Sequence, residues 1–454
     1  MAGTRFTRSM AVAALLSAAA CGPKPIRYLD AGEDAGEDAG VDAGRPAGDM
    51  PPTGSSRAVE QPDAGAATSR IGVSVSMALD QNEQPMLAFV EEDPNGDGVR
   101  QDDRVRFTRW NGVDRAWQPP VTVGTSGQVD DGFPHRQVSL ARDAETGRLG
   151  VAFTTGATQV KLATSLDEGE TWTVEVASAP NPGASAVGDP QLAMAAGSVH
   201  LAYWQERLRC AGTGCSAVLY VRRDGAGPGG FSTAEVFPLA AATDANVPMP
   251  LSLALDSAGK PGVAAFLGVS SAATVTLAFW RPGSANAASI FDSGTVTDAT
   301  PSVSVAFDGD LPRVAYHLAG ADASVQLRYS AASDAAGATW GASVAIPRNG
   351  AVASLETTRY FQALALGAGG KVVIAADFTA ATQALQLCGG PKLARSNDGT
   401  AFTVCSPDGG KVFGLAGHYV NLALPPSGKL TLAFLYTSTA NAQMGPGIVV
   451  WREP

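Results

Sequence analysis

One phrase recurs seven times along this 454-residue chain, and it restricts the fold more than any other feature. An alternating apolar strand is followed by a Gly/Asp/Asn turn and then by a strand that ends in Ala plus an aromatic residue. The first copy runs Val73 to Leu79 and then Met86-Leu87-Ala88-Phe89. The ending returns at Val151-Ala152-Phe153, Leu201-Ala202-Tyr203, Ala264-Ala265-Phe266, Val314-Ala315-Tyr316, Ala375-Ala376-Asp377-Phe378 and Leu432-Ala433-Phe434. Taking Ala88, Ala152, Ala202, Ala265, Ala315, Ala376 and Ala433 as the marks, the period is about 57 residues. Period-two alternation marks half-buried strands, and no stretch shows convincing helical periodicity. A third strand is expected in each unit, at Val105–Thr108, Val160–Thr164, Ala217–Arg222, Thr274–Trp280, Val325–Ser330, Lys392–Arg395 and Ile448–Arg452. A fourth, short strand follows, as at Trp172–Val176 and Phe402–Cys405. Four antiparallel strands at this repeat length predict an all-β protein, a seven-bladed β-propeller that protects its sheet edges by radial repetition; six blades plus a decayed unit is the alternative. The seventh unit stops at Pro454 after three strands, so its outer strand is expected from the other end of the chain, near Arg57 to Glu60.

Composition agrees with a loop-rich β protein. The 52 Gly and 29 Pro weaken helix interiors and count against a coiled coil or helical bundle. A net charge of -11 excludes the basic footprint that a nucleic-acid binder needs. No apolar run is long enough for a membrane-spanning helix.

The N-terminus reads as an address. Arg5 and Arg8 precede an apolar stretch from Met10 to Ala20, too short to span a bilayer and suited to the core of a signal peptide covering residues 1–20. Ala18-Ala19-Ala20 then meets Cys21. This resembles a bacterial lipoprotein signal, with Ala18 where such signals usually carry Leu, and the resemblance implies lipidation at Cys21. Residues 21–69 carry the repeats Asp30-Ala31-Gly32, Asp34-Ala35-Gly36, Asp38-Ala39-Gly40 and Asp42-Ala43-Gly44 and almost no apolar bulk. They are expected to be a disordered acidic tether, extended by self-repulsion. The propeller is expected over residues 70–454, held in the cell envelope by a lipid anchor, on the outer membrane or facing the periplasm, as a monomer.

The most specific motif lies between a third and a fourth strand. Ser165-Leu166-Asp167-Glu168-Gly169-Glu170-Thr171-Trp172 matches the Asp-box, S-x-D-x-G-x-T-W, at every defined position. Eroded copies keep Ser333, Gly337, Thr339 and Trp340, with Asp334 one residue early, and Ser396, Asp398, Gly399 and Phe402, one residue short. The chain from 70 to 454 thus resembles the sialidase-like (BNR-repeat) propellers, in which this box is a structural turn remote from the substrate site. Its residues Ser165, Asp167, Gly169, Thr171 and Trp172 are expected to close a turn through side-chain hydrogen bonds, with Gly supplying a conformation costly for other residues.

Sialidases of that family hold the sugar carboxylate with three Arg and use a Tyr nucleophile helped by a Glu, so the resemblance singles out Arg70, Arg136, Arg359 and Tyr360, with Glu356 nearby, as catalytic candidates. No motif places the second and third Arg. A sialidase-type glycoside hydrolase is therefore the alternative reading, and a non-catalytic binding module for a glycan or protein partner is favoured. The acidic loop 90–104 and the loop 204–217 are the expected contact features, since loops on rigid scaffolds carry function.

Other chemistry is sparse. Asp93-Pro94-Asn95-Gly96-Asp97-Gly98 fits the start of a calcium loop, with Asp102 and Asp103 available to complete an oxygen shell in place of the missing Glu. Such an ion would stiffen the loop. Cys210 with Cys215, and Cys388 with Cys405, are placed for two local disulfides in an exported chain. Gly225 to Gly230 spells G-x-G-x-x-G, but no helix follows and Pro228 interrupts it, so it reads as a loop. The four His, at 135, 200, 317 and 418, fall in different units without metal-ligand spacing.

Overall fold

A computed structural model of the chain describes residues 55–59, 70–92, 103–127, 137–156, 158–177, 187–210, 213–225, 227–237, 250–268, 274–284, 288–295, 302–319, 325–346, 362–377, 391–405, 416–436 and 447–453. They form seven antiparallel sheets. The third strands fall where the sequence puts them: Arg104–Asn111, Gln159–Ser165, Thr213–Arg223, Thr274–Trp280, Val325–Ala331, Pro391–Ser396 and Gly447–Arg452. In the first blade the outer strand Val121–Thr125 pairs with the third strand, and the two residues Ala116–Trp117 extend the same edge.

The first strands of the blades are Arg70–Leu79, Val138–Arg142, Val187–Ala195, Leu251–Leu255, Val303–Asp308, Gln362–Gly367 and Ala416–Ala423. Each packs against the first strand of the next blade, and the seventh packs against the first. That closed cycle makes them the inner wall of a seven-bladed propeller. The seventh sheet is completed by Ser55–Val59, antiparallel to Gly447–Arg452 with Ser56 opposite Val450. The missing outer strand therefore comes from the N-terminal side, as expected, which puts residues 55–59 of the 21–69 segment in the propeller rather than in the tether.

Apolar residues of facing blades fill the crevices between sheets. Met86, Ala88, Val105 and Phe107 of the first blade meet Val138, Leu149, Val151 and Phe153 of the second. Seven such clusters, each shared by neighbouring blades or confined near one crevice, form the core. The marker alanines are central to this. Ala88, Ala152, Ala202, Ala315 and Ala433 are completely buried, because a larger side chain on the second strand would push the sheets apart. In blades four and six the frame shifts by one residue. Ala264 and Ala375, not Ala265 and Ala376, lie opposite the inner-strand residue that matches the other blades. Two consecutive alanines hide that choice in the sequence.

A ring of side-chain clasps fastens the inner wall. Ser76 Oγ accepts from Leu140 N at 2.9 Å, Ser139 Oγ from Leu192 N at 3.0 Å, Ser252 Oγ from Val305 N at 3.0 Å and Ser304 Oγ from Leu364 N at 3.0 Å. Asn421 joins blade seven to blade one, accepting from Met77 N at 3.4 Å and donating to Val75 O at 3.0 Å. In blade three Gln191 stands at the Ser position and holds Asp189, whose other oxygen accepts from Leu251 N at 2.9 Å. Only at blade six, where Ala363 replaces the polar residue, does this position lack an oxygen.

Each clasp satisfies a buried amide that the neighbouring sheet cannot reach, and leaving such a donor unmet costs about 1–3 kcal/mol. Ser139→Ala is expected to destabilise the fold by that amount in urea unfolding at unchanged m-value, whereas Ser165→Ala, outside the ring, reports on the turn alone.

Candidate functional site

The two faces of the ring are built differently. On one face lie the turns from first to second strand and from third to fourth strand. In four blades the inner strand ends in the phrase S-x-A-x-D, at Ser76 to Asp80, Ser139 to Asp143, Ser252 to Asp256 and Ser304 to Asp308. The Ser is the clasp; in the first three the Asp caps the turn, whereas Asp308 accepts from Arg313 Nη2 at 3.2 Å. Asp80 Oδ1 accepts from Asn82 N and Gln84 N, Asp143 Oδ1 from Glu145 N, and Asp256 Oδ1 from Ala258 N and Lys260 N, all at 2.7–3.0 Å. This phrase was present in the sequence at the same period as the alanine mark, and it is the signal by which the clasps were findable.

The Asp-box closes as its residue types require. Gly169 N donates to Ser165 Oγ at 2.8 Å, Thr171 N to Asp167 Oδ1 at 2.9 Å, Thr171 Oγ1 to Asp167 Oδ2 at 2.5 Å, and Trp172 Nε1 to Gly169 O at 3.0 Å. These donors favour the ionised carboxyl, and the hydroxyl of Thr171 contributes most in holding the Asp167 pKa down to about 2. Gly169 sits at φ 94°, and a Cβ there would fall 2.2 Å from a ring carbon of Phe107 in the preceding blade. Phe107 in turn meets Trp172 edge-on, with centroids 5.2 Å apart.

The same joint recurs at both eroded boxes. Phe279 lies under Gly337 and 5.7 Å from Trp340; Tyr329 lies under Gly399 and 5.6 Å from Phe402. Asp334, one residue early, still captures Ala338 N at 2.9 Å and Thr339 N at 2.7 Å. The box is thus a joint between blades, and its glycine and aromatic form that joint in all three copies.

Arginines at the ends of third strands extend the stitching. Arg109 pairs with Glu168 of the next blade. Arg281 donates to Asp256 at 2.9 Å, reaches Asp310 O at 2.7 Å and Ala335 O at 3.0 Å in blade five, and lies 4.3 Å over the Phe307 ring. Arg452 closes blade seven onto blade one through Glu83 O and Gln84 Oε1, each at 3.0 Å.

The opposite face carries the strand ends joined by residues 93–103, 126–137, 177–186, 237–250, 346–361, 378–390, 406–415 and 437–446, together with short joins such as 211–212 and 320–324. Buried polar side chains gather at those strand ends. Ser74 Oγ accepts from Gln137 N at 3.0 Å, and the rings of blades five and six are tied by His317 Nδ1, 2.9 Å from Gln362 Oε1, and by Gln362 Nε2 donating to Ala315 O at 3.0 Å. The second and third strands of blade three, Ser198–Cys210 and Thr213–Arg223, are the longest in the molecule and carry their ladder to a two-residue tip. The loop expected at 204–217 is therefore largely a paired hairpin, with a register shift between Arg207 and Cys210.

Of the residues singled out in the sequence, Arg70 begins the first inner strand, opposite Glu92. Arg136, Glu356, Arg359 and Tyr360 lie outside the described residues, as do Asp93, Asn95, Asp97 and Asp102. Asp103 is completely buried, and its carbonyl accepts from Ser126 N at 2.8 Å. Cys210 and Cys215 fall on facing strands of the blade-three hairpin, two residues out of direct opposition, since Cys210 faces Thr213. Cys405 lies opposite Leu393; Cys388 and Cys21 lie outside the described residues. Gly225 and Gly227–Gly230 form the loop that follows the third strand of blade three, as read. Among the described residues no three His, Cys, Asp or Glu side chains are placed to hold a metal ion. His200 is buried beside Tyr220, 2.7 Å from its hydroxyl, and burial pushes its pKa down to about 4, so it is a neutral core residue.

These features define a seven-bladed β-propeller with one stitched face and one face of extended connections. No family model and no curated protein matches the chain. Among solved structures it is similar to the NanB sialidase from Streptococcus pneumoniae, at 8% identity over 88% of this chain and 70% of that one, with a TM-score of 0.46. It is likewise similar to an alpha-L-arabinanase from Penicillium chrysogenum, at 12% identity over 88% and 98% with a TM-score of 0.46. The fucose-specific lectin from Aleuria aurantia matches at 13% identity over 76% and 97%, with a TM-score of 0.43. Likenesses this distant carry no argument about activity, and the fold stands on the strand ladders themselves.

Two outcomes test the joint. Gly169→Ala is expected to cost about 3 kcal/mol in chemical unfolding, from left-handed strain and displacement of the Phe107 ring. The depressed Asp167 pKa contributes stability that is present above 3.8 and is lost as pH falls towards about 2. The urea midpoint should therefore fall across that window in the wild type and fall less steeply in Asp167→Asn.

Proposed function

We propose that this chain is an exported lipoprotein, anchored in the cell envelope through Cys21, whose propeller binds a glycan or protein partner on the face of extended connections without catalysing a reaction. The observation that carries the binding face is the asymmetry of the ring, and above all the blade-three hairpin, whose strands are the longest among the described residues. One face is spent on Asp-box joints and arginine stitches, so its groups hold blades together. The other leaves rigid strand ends as a base for segments that differ in length from blade to blade, the arrangement by which a scaffold presents contact residues. Calcium on Asp93, Asn95, Asp97, Asp102 and Asp103, and disulfides between Cys210 and Cys215 and between Cys388 and Cys405, belong to the same proposal as stiffeners of that face. The acidic repeats after Cys21 support the tether, because like charges keep such a segment extended and lift the domain from the membrane.

Binding of the mature chain to an array of immobilised glycans and envelope proteins tests this reading. Replacing residues 207–215 by Asn-Gly, which keeps Glu206 opposite Ser216, should weaken the captured ligand at least tenfold while leaving the melting temperature unchanged. Undiminished binding, or cleavage of a sialoside by the wild type, would contradict it. Cys21→Ser should move the protein from the membrane fraction to the soluble one.

A further inference from the structure

We propose that the crevice between the second and third blades holds a small oxyanion, of the phosphate or sulfate class, on Arg148 and Arg223. Arg148 precedes the second strand of blade two and Arg223 ends the third strand of blade three; their exposures are 2% and 1%. Arg148 Nη1 donates to Gly225 O at 3.1 Å and Nη2 to Gly197 O at 2.7 Å, but Nε has no partner. Arg223 pairs through Nη1 with Glu175, while its Nε and Nη2 have none. Two buried guanidiniums thus share three unmet charged donors, and leaving such groups dry opposes folding.

Two carboxylates lie near the pair, Glu175 bonded to Arg223 Nη1 and Asp143 acting on Arg148 through its charge, but neither meets the three open donors. Glu175 also accepts from Gly229 N, and Asp143 spends its oxygens on Glu145 N and on Gly197 N at 2.7 Å. Burial first, and then the charge of Arg223, push the Arg148 pKa down. The contrast with Arg281, the other deeply buried arginine on this face, is direct: its Nε, Nη1 and Nη2 all end on protein oxygens, Asp256 among them. The turn of blade three has Ala195 and Ala196 where blade four has Asp256, so no side-chain carboxylate reaches this crevice from that turn. An oxyanion supplies the missing acceptors, and guanidinium forks suit its geometry.

The turns beside the crevice are rich in glycine, and at Gly197, Gly225, Gly227, Gly229 and Gly230 an added Cβ would meet nothing within 4 Å. The G-x-G-x-x-G letters thereby acquire a role unrelated to a nucleotide: they let the backbone turn closely above two buried cations.

The test is thermal unfolding of the full chain with sodium sulfate titrated against sodium chloride at constant ionic strength. The wild type should show a saturable rise in melting temperature, as ligand binding to the folded state requires. Arg148→Gln and Arg223→Gln should raise the half-saturating sulfate concentration at least tenfold, while the exposed neighbour variant Arg222→Gln should not. A rise that never saturates, or one equal in all four proteins, is a bulk salt effect and overturns the proposal. Should either buried-site variant fail to fold, crystals of the wild type grown in selenate decide. An anomalous selenium peak within hydrogen-bond reach of both guanidiniums supports the site, and water alone at that place overturns it.

Discussion

The hydroxyl of a serine on one inner strand, accepting an amide proton from the next blade, is the interaction on which the ring depends. Sheets in a propeller meet face to face through apolar side chains, and such packing is non-directional. It sets the distance between blades but not their register along the axis. The clasps from Ser76, Ser139, Ser252, Ser304 and Asn421 set that register, because each pins one named amide of the following strand. Blade three meets the need differently. With Gln191 in place of Ser, the chain bulges between Gly188 and Gln191, and Asp189 at φ 49° accepts from Leu251 N, two residues before the amide equivalent to those pinned in the other blades.

The Asp-box performs the complementary task at the periphery. Its polar residues close a turn, yet its energetic contribution lies in what the turn presents to the blade before it: a glycine flat enough for an aromatic face, and an aromatic ring to meet that face edge-on, worth about 0.5–1.5 kcal/mol beyond burial. Phe107, Phe279 and Tyr329 occupy the same third-strand position, opposite Ala88, Ala264 and Ala315. Inner clasps and outer joints together hold each sheet at two radii. The stitched face is then too committed to its own cohesion to serve as a variable surface, which leaves recognition to the other.

Much of this was legible in the sequence. The alanine mark set the blade count and the strand order, and the Asp-box letters located a turn whose hydrogen bonds form as their chemistry dictates. The count of only three strands in the seventh unit pointed to an outer strand near Arg57 to Glu60, and Ser55–Val59 supplies it. What escaped had physical causes. Ser in S-x-A-x-D looks like an ordinary alternating strand residue until its partner, some fifty residues away in the next blade, is known. The hairpin at 204–217 was read as a loop because its Gly and Cys suggested a break, whereas strand pairing carried through them. Arg148 and Arg223 lie 75 positions apart with no motif between them, and only the fold brings their charges together.

Closure is the claim from which the rest follows, and hydrogen exchange in the intact chain addresses it directly. If Ser55–Val59 completes the seventh sheet, amides of Gly447–Arg452 should be protected as fully as those of Thr274–Trp280, a third strand paired along both edges. Exchange of Gly447–Arg452 at the rate of an open edge, with Thr274–Trp280 still protected, would show that the ring is not closed in this way.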